Sequence, residues 1–337
     1  MAANPIRSSF DHDCKVCPHV AIIILNYNSE NDLRLCTEQV LLQLGIRLSV
    51  ILVDNASRPE SIASVRSWLS ENHTDTVCGA EEDVQNWIRQ NPENAGQPGK
   101  VYFVQNSTNN GYSAGNNIGI RLAYALKADA VLIANPDMRI EQPEYVAELY
   151  RHMFSDPSNY VVASRIIDLD GIDQNPLREA TYWEELFWPR WLFRGFLKTK
   201  YYVTNCFHDR PVTVEKVSGC CMMIRVDFLR STGYLDENVF LYCEEPILST
   251  RVHAAGGKIL YLPWVSATHA HVPGEKEDSA KRMLLFIKSR KYYLRQYSGY
   301  NRLQTGCLFL SYDVLALYNR LKGLCKNLLQ CGRRSYA

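Results

Sequence analysis

The chain has 337 residues, 46% of them hydrophobic, and a formal net charge of +1. That is enough apolar material for one large α/β domain with appendages, or for two smaller domains. The balanced charge excludes recognition of nucleic acid through a global field, so any charged partner must be met locally. No run of about 18 apolar residues occurs, so no transmembrane helix is expected. The polar N-terminus lacks the apolar core of a secretory signal.

Val20–Leu25 is a short, β-branched apolar run that ends at Asn26-Tyr27-Asn28. It reads as a strand buried on both faces. A helix follows, with Ser29 as cap, Leu33, Leu35, Val40, Leu41 and Leu44 as apolar positions, and Gly45 as its stop. Ser49–Val53 is a second buried strand, ending at Asp54-Asn55. The chain therefore opens β-α-β, the unit of a parallel, doubly wound sheet. Residues 58–100 are polar. Helices are expected there around Ile62–Leu69 and Glu82–Gln90 and a loop over Asn91–Lys100, with the later part read as a surface insertion. Val101–Val104 is a third strand. An Asn- and Gly-rich loop follows, then a helix from near Asn116 through Leu126. Asp129–Ala134 is a fourth strand, ending at Asn135-Pro136-Asp137. Beyond residue 141 a helix is expected at Glu144–Met153, strand-like segments at Val161–Ile167 and Val212–Arg225, and basic helices over Lys276–Arg334.

The eleven cysteines are scattered and odd in number. Cys36, Cys220 and Cys221 sit in apolar runs, so buried free thiols in a reducing cytoplasm are expected rather than disulfides. Gly219-Cys220-Cys221-Met222-Met223 reads as a core strand rather than a soft-metal site. His12, Cys14, Cys17 and His19 have zinc-ligand chemistry. Their crowding favours a loose tail over residues 1–18 instead.

Polar loops after the carboxyl ends of strands are where open α/β sheets bind ligands. Taken singly, Asp54, the loop at Asn109–Asn117 and Asn135-Pro136-Asp137 read equally well as caps or turns. On consecutive β-α units they describe a nucleotide site. A carboxylate can accept from a base or ribose, Gly111 and Gly115 can admit backbone N–H groups to a diphosphate, and a second carboxylate can hold a metal.

The segments VAIIILNYNSENDL, VILVDNAS, NNGYSAGNNIGI, IANPDM, VSGCCMMIR and GYLDENVFLYCEEPILSTRVHAAGGKILYLPW…THAH occur in this order between Val20 and His271. In that ordered set the chain resembles the inverting glycosyltransferase family 2, particularly its rhamnosyltransferase-like branch. The resemblance implies a GT-A fold: an α/β architecture whose mostly parallel, twisted sheet is flanked by helices. Residues 19–140 would form the nucleotide-sugar-binding half, 141–275 the acceptor-binding half and 276–337 a basic helical extension. It implies donor contacts at Asn26, Asn28, Asp54, Asn55, Asn110, Gly111, Gly115, Asn116 and Asn135. Asp137 stands at the family's D-x-D position, with Asn135 replacing the first Asp. With His269 it is expected to hold Mg²⁺ or Mn²⁺ against the diphosphate. Glu245, second of the acidic pair Glu244-Glu245, is expected to be the catalytic base, and Asp236 to orient acceptor or sugar.

The resemblance further implies transfer of a hexosyl or deoxyhexosyl group, such as rhamnose. The donor would be a dTDP-, UDP- or GDP-sugar and the acceptor a glycan or lipid-linked hydroxyl in bacterial surface polysaccharide synthesis. One departure matters. The family reads E-D-x-D-L where this chain reads Glu244-Glu245-Pro246-Ile247-Leu248, so the second Asp is Ile247. Its loss motivates an alternative, a non-catalytic nucleotide-sugar-binding or scaffold subunit. A Rossmann dehydrogenase is excluded because no G-x-G-x-x-G follows the first strand.

Two segments stay open. The aromatic stretch with Tyr182, Trp183, Phe187, Trp188, Trp191, Phe193 and Phe196 reads as core, as a sugar-stacking acceptor cleft or as a membrane-touching lid. The tail, Asn301–Ala337, carries six Lys/Arg and one Asp among many leucines. It reads as an amphipathic helix on an anionic membrane or as a helix packed on the domain. A cytoplasmic protein, peripheral on the inner membrane face through that tail, and a homodimer are carried as expectations.

Overall fold

The protein is described here by a computed structural model covering residues 18–187, 210–271 and 279–334, with the side chains of the last stretch described over 280–322. His12, Cys14 and Cys17 lie outside the described residues, as do Trp188, Trp191, Phe193 and Phe196.

Among the described residues, a single mixed sheet of ten strands organises the fold. The opening β-α-β unit is present as β1 (His19–Asn26), α1 (Glu30–Leu41) and β2 (Arg47–Asn55), with β1 and β2 parallel in a register that sets Asn26 beside Asp54. In β1 the side chains alternate between two cores. Val20, Ile22 and Ile24 enter the core under α1, and Ala21 and Ile23 enter the core on the opposite face. Burial on both faces is what a continuous apolar strand requires. The helix α1 ends at Leu41, four residues before Gly45, which instead takes a left-handed turn conformation. Ser29 does not cap α1 through its side chain; its hydroxyl donates to the Tyr27 carbonyl. His19 is buried in β1, with its ring against the Ser49 hydroxyl.

Residues 58–100 hold α2 (Pro59–Asn72), β3 (Val77–Gly79), α3 (Glu81–Gln90) and α4 (Pro92–Ala95) before β4 (Lys100–Asn106). The expected insertion is thus part of the sheet: β3 runs parallel to β4 at its edge. The order of strands along the sheet, β3-β4-β2-β1, continues through β5 (Ala130–Ala134), and all these pairings are parallel.

The helix expected from near Asn116 starts four residues earlier, as α5 (Tyr112–Ala125). Its glycines are spent on packing. A Cβ at Gly115 would lie 2.5 Å from Leu25, and one at Gly119 would lie 2.6 Å from Ile23. Gly and Asn are weak helix formers, so the local sequence reads as a loop, yet close approach to β1 fixes a helix.

Past β5 the sheet turns mixed. β9 (Cys221–Arg225) runs antiparallel between β5 and β7 (Asn159–Asp168), and β10 (Lys258–His269) runs parallel to β7. β10 also pairs antiparallel with the short strands β6 (Met138–Arg139) and β8 (Val212–Val214). The single strand-like segment expected over Val212–Arg225 is therefore two strands with different partners. Lys216–Gly219 leaves the sheet between them. The helix α6 (Tyr145–Met153) stands where the periodicity places it.

The remaining helices are α7 (Tyr182–Leu186), α8 (Val226–Ser231), α9 (Glu244–Ala254), α10 (Ser279–Gln296) and α11 (Arg302–Arg334). The C-terminal pair is not an appendage. Ile287, Tyr293 and Leu294 of α10 and Leu308, Tyr312 and Leu315 of α11 form one buried cluster with Val239, Cys243 and Ile247. Cys36, Cys220, Cys221 and Cys243 are buried free thiols, while Cys78 and Cys307 are exposed. Among the described residues, no helix is long and apolar enough to cross a membrane.

Candidate active site

The carboxyl ends of β1, β2, β4 and β5 and the end of β10 face a common edge. At the ends of β1 and β2 a closed polar network forms. Asp54 is fully buried; its Oδ1 accepts from Asn26 Nδ2 at 2.9 Å and its Oδ2 from the Ser57 amide at 3.0 Å. Asn28 donates its amide to the Ser57 hydroxyl and accepts from the Arg58 amide. Asn55 donates to Asn109 Oδ1 and to the Gly111 carbonyl, and accepts from Asn106.

Gly111, at φ +100°, is required by a close approach of two halves of the molecule. A Cβ there would sit 2.2 Å from the Phe240 carbonyl oxygen, and the Tyr112 amide donates to that same oxygen. On the side where a Cβ would stand, both glycines meet protein: Phe240 backbone at Gly111, Leu25 and Asn55 at Gly115. Asn116 is buried and donates to the Tyr112 carbonyl, with its own Oδ1 unpartnered. Asn110 is exposed on the loop surface.

A cleft of about 350 Å³ opens on the far side of β5, within the size range of ligand pockets. Asn135, Gly219, Glu244, Glu245, His269 and Arg290 are among its lining residues. Asn135 holds its place through its amide, which donates to the Cys220 carbonyl at 2.7 Å.

Asp137 lies beside that wall. Its Oδ2 is 3.1 Å from His271 Nδ1 and its Oδ1 is 3.4 Å from His269 Nε2. His269 is oriented by Gln174, whose Oε1 lies 2.8 Å from Nδ1. Asp137 Oδ1 is buried without a hydrogen-bond partner. Ligand atoms of Asp137, His269 and His271 all fall within 4.8 Å of one another. Burial alone would raise the Asp137 pKa, but the two imidazoles outweigh it and hold the carboxyl below its ordinary range. An ionised carboxylate with an open oxygen, flanked by two imidazoles with one braced from behind, is a donor set that fits a divalent cation. His271 was not singled out from sequence. The signal was the His-x-His spacing at the end of β10, which puts both rings on one side.

Glu244 and Glu245 open α9 after Tyr242 and Cys243, both in left-handed conformations. Glu245 Oε1 accepts from the Gly219 amide at 3.3 Å. Glu244 is different: its Oε1 is buried and unpartnered, and burial, followed by the charge of Glu245, pushes its pKa up to about 8. The proton of Glu244 removes a like charge that would otherwise face Glu245.

Asp236 is not in this cleft. Its Oδ2 accepts from the hydroxyls of Tyr292 at 2.9 Å and Tyr297 at 2.6 Å, and its Oδ1 from Asn238. Burial opposes ionisation there, yet these donors keep its pKa below the usual value. The expected orienting residue instead ties α10 and the turn after it to the loop at 236–238.

Sequence reading also missed the contribution of α10. Phe286 and Arg290 line the cleft, and Arg290 donates to Glu185 and Glu179 while Lys216 pairs with Glu179. Tyr312 of α11 donates to Glu185 at 2.9 Å. Ile247, in the place of the family's second Asp, is 2% exposed among apolar side chains of α10 and α11. The replacement therefore serves packing of the C-terminal helices, although Ile247 also lines a small cavity with Glu244 and Asp236.

A twisted sheet with a polar strand-end network, an Asp–His–His cluster and an acidic pair at a helix start is the architecture of a nucleotide-binding type of α/β fold. The chain belongs to glycosyl transferase family 2, whose family model matches residues 21–233, and it is a glycosyltransferase. It is 29% identical over 290 residues to the low-salt glycan biosynthesis hexosyltransferase Agl10 of Haloferax volcanii, covering 83% of this chain and 78% of that protein. It is 24% identical over 193 residues to the rhamnosyltransferase WbbL of Escherichia coli, covering 54% of this chain and 70% of that one. In fold it is similar to the mannosyltransferase PcManGT from Pyrobaculum calidifontis, solved with GDP-Man and Mn²⁺. The TM-score is 0.52 at 15% identity, over 95% of this chain and 80% of that one. It is likewise similar to S. aureus TarS 1-349 with UDP-GlcNAc, at TM-score 0.51 and 12% identity over 87% and 72% of the two chains. The GT-A architecture expected from the sequence is the one observed.

Proposed function

We propose that this glycosyltransferase moves a hexosyl or deoxyhexosyl group from a nucleoside-diphosphate sugar to a hydroxyl of a glycan or lipid-linked acceptor, with inversion at the anomeric carbon. The observation that carries the reading is the convergence of Glu245, Asn135 and His269 on one cleft, with Asp137 against His269. The named activities of the two relatives, one a hexosyltransferase of glycan biosynthesis and one a rhamnosyltransferase, support the donor class.

Glu245 takes the proton of the acceptor hydroxyl as that oxygen bonds to the anomeric carbon, while the bond from that carbon to the diphosphate oxygen breaks on the opposite face. The Gly219 amide holds Glu245 toward the cleft. The neutral Glu244 lowers repulsion at the base and presents a hydrogen-bond donor on the same wall. Asp137, His269 and His271 would hold Mg²⁺ or Mn²⁺, which supplies charge neutralisation to the departing diphosphate. The Asn26–Asp54–Ser57 network shapes the rim on which the nucleotide rests rather than offering free carboxylate oxygens.

The test is a panel of dTDP-, UDP- and GDP-sugars, each with Mn²⁺ or Mg²⁺, read by calorimetric binding and slow donor hydrolysis. Metal-dependent binding and hydrolysis of one nucleotide class are expected. Failure of every donor to bind with metal present would reject the reading.

A further inference from the structure

The outer face of α11 has no counterpart in the site. Its inner face is fixed: Leu308, Tyr312 and Leu315 are buried against α10, and the Ser311 hydroxyl donates to the Leu186 carbonyl. The opposite face is thereby turned outward. It presents Leu303, Leu310, Val314, Leu317 and Leu321, with Leu303 78% and Leu310 68% exposed and the exposed Cys307 at its edge beside Tyr182. Their spacing alternates strictly between four and three residues, and the sequence keeps the alternation at Leu324 and Leu328. A helix of 33 residues spans about 50 Å.

A stripe two residues wide with a strict seven-residue repeat is the seam of a coiled coil, narrower than the broad apolar face of a helix lying in a lipid interface. The residues flanking the seam choose the occupant and its direction. On one flank stand Asp313, then Arg320 one heptad later. Two parallel copies would leave these two charges unmatched. Two antiparallel copies, set so that Val314 faces the partner's Leu317 and Leu310 faces the partner's Leu321, bring Asp313 of each copy beside the partner's Arg320. The seam positions from 310 to 321 are then matched and the opposite charges meet twice. Asp313, the single acidic residue of the tail, is 66% exposed in its side chain and pairs within its own chain with Lys291. An acid on the flank is poorly placed against anionic headgroups.

We infer that α11 is a self-association surface: two copies of this chain pair through an antiparallel coiled coil centred between Val314 and Leu317. The test uses the full chain in light scattering coupled to size exclusion at micromolar concentration. A mass about twice 38.6 kDa is expected, and a monomer overturns the inference. Leu310→Asp with Leu317→Asp, both on the exposed face, should give a monomer with an unchanged thermal melt; a persistent dimer places the interface elsewhere and overturns it. Asp313→Arg and Arg320→Asp should each weaken the dimer by roughly tenfold, and the double exchange should restore it. Failure of the exchange to restore the dimer overturns the antiparallel register. Cosedimentation of a monomeric wild-type chain with phosphatidylglycerol vesicles, lost in the Leu310→Asp, Leu317→Asp protein, assigns the stripe to lipid and also overturns it.

Discussion

At the ends of β1 and β2, Asn26, Asp54 and Ser57 bond one another and leave Asp54 fully buried with both oxygens occupied. At the start of α9, Glu244 is buried with an oxygen that bonds nothing, and beside β5 Asp137 has an open oxygen as well. Unmade hydrogen bonds in a folded interior cost stability. The difference fits the proposed division, in which the first region shapes a rim and the second carries the chemistry. A group whose oxygens are already committed can shape a surface but has little left to give a reaction.

That contrast can be broken by substitution. The largest effect should come at the base. Glu245→Gln is expected to lower transfer about 10²- to 10⁴-fold while leaving donor affinity intact, read by initial rates alongside calorimetric donor binding. Full activity would move the base elsewhere. Next, Asp137→Ala should weaken Mn²⁺ binding by more than the roughly 10- to 100-fold that loss of an outer-shell partner costs, with His271→Ala intermediate. Calorimetric titration of the cation, without substrate, makes the measurement, and unchanged affinity would dissolve the cluster as a metal site.

Two further changes act on stability. Ile247→Asp restores the family's residue inside the apolar cluster under α10 and α11, and should cost about 3 kcal/mol. Asp54→Ala strands Asn26 and the Ser57 amide and should cost about 2 kcal/mol. Urea midpoints measure both, and an Asp54→Ala protein as stable as the parent would show the rim network to be dispensable.

The smallest expected effect is a slope. Folding raises the Glu244 pKa from 4.5 to about 8, so the folded state keeps a proton that the unfolded chain has lost between those values. The associated stability is complete below pH 4.5 and falls as pH rises toward 8, then levels. Glu244→Gln should flatten that limb in melts taken from pH 5 to 8. An identical slope in both proteins would mean that Glu244 is solvated as an ordinary carboxylate.

Much of this was legible because it is local. The two-sided burial of β1 and β2 is written in unbroken β-branched runs, and the carboxylates follow at strand ends, where loops can reach a ligand. The ordered motifs carried the family. His269 could be read from them, while His271 was hidden only because its role depends on sharing a side of the strand with its neighbour.

Other features depend on contacts far apart in sequence. Gly111 reads as a loop glycine, and only the fold shows that Phe240 backbone stands where its Cβ would be. Asp236 looks like an active-site acid until Tyr292 and Tyr297, more than fifty residues on, claim its carboxylate. The C-terminal helices read as an appendage until Phe286 and Arg290 appear in the wall of the cleft. By itself the sequence determined the parallel core, the family and the identities of the acidic pair and of Asp137, because hydrophobic periodicity and residue chemistry are properties of short segments. The tertiary structure alone decided which polar groups were already satisfied and which stayed open, because hydrogen-bond partners and desolvation are set by neighbours the chain brings from elsewhere.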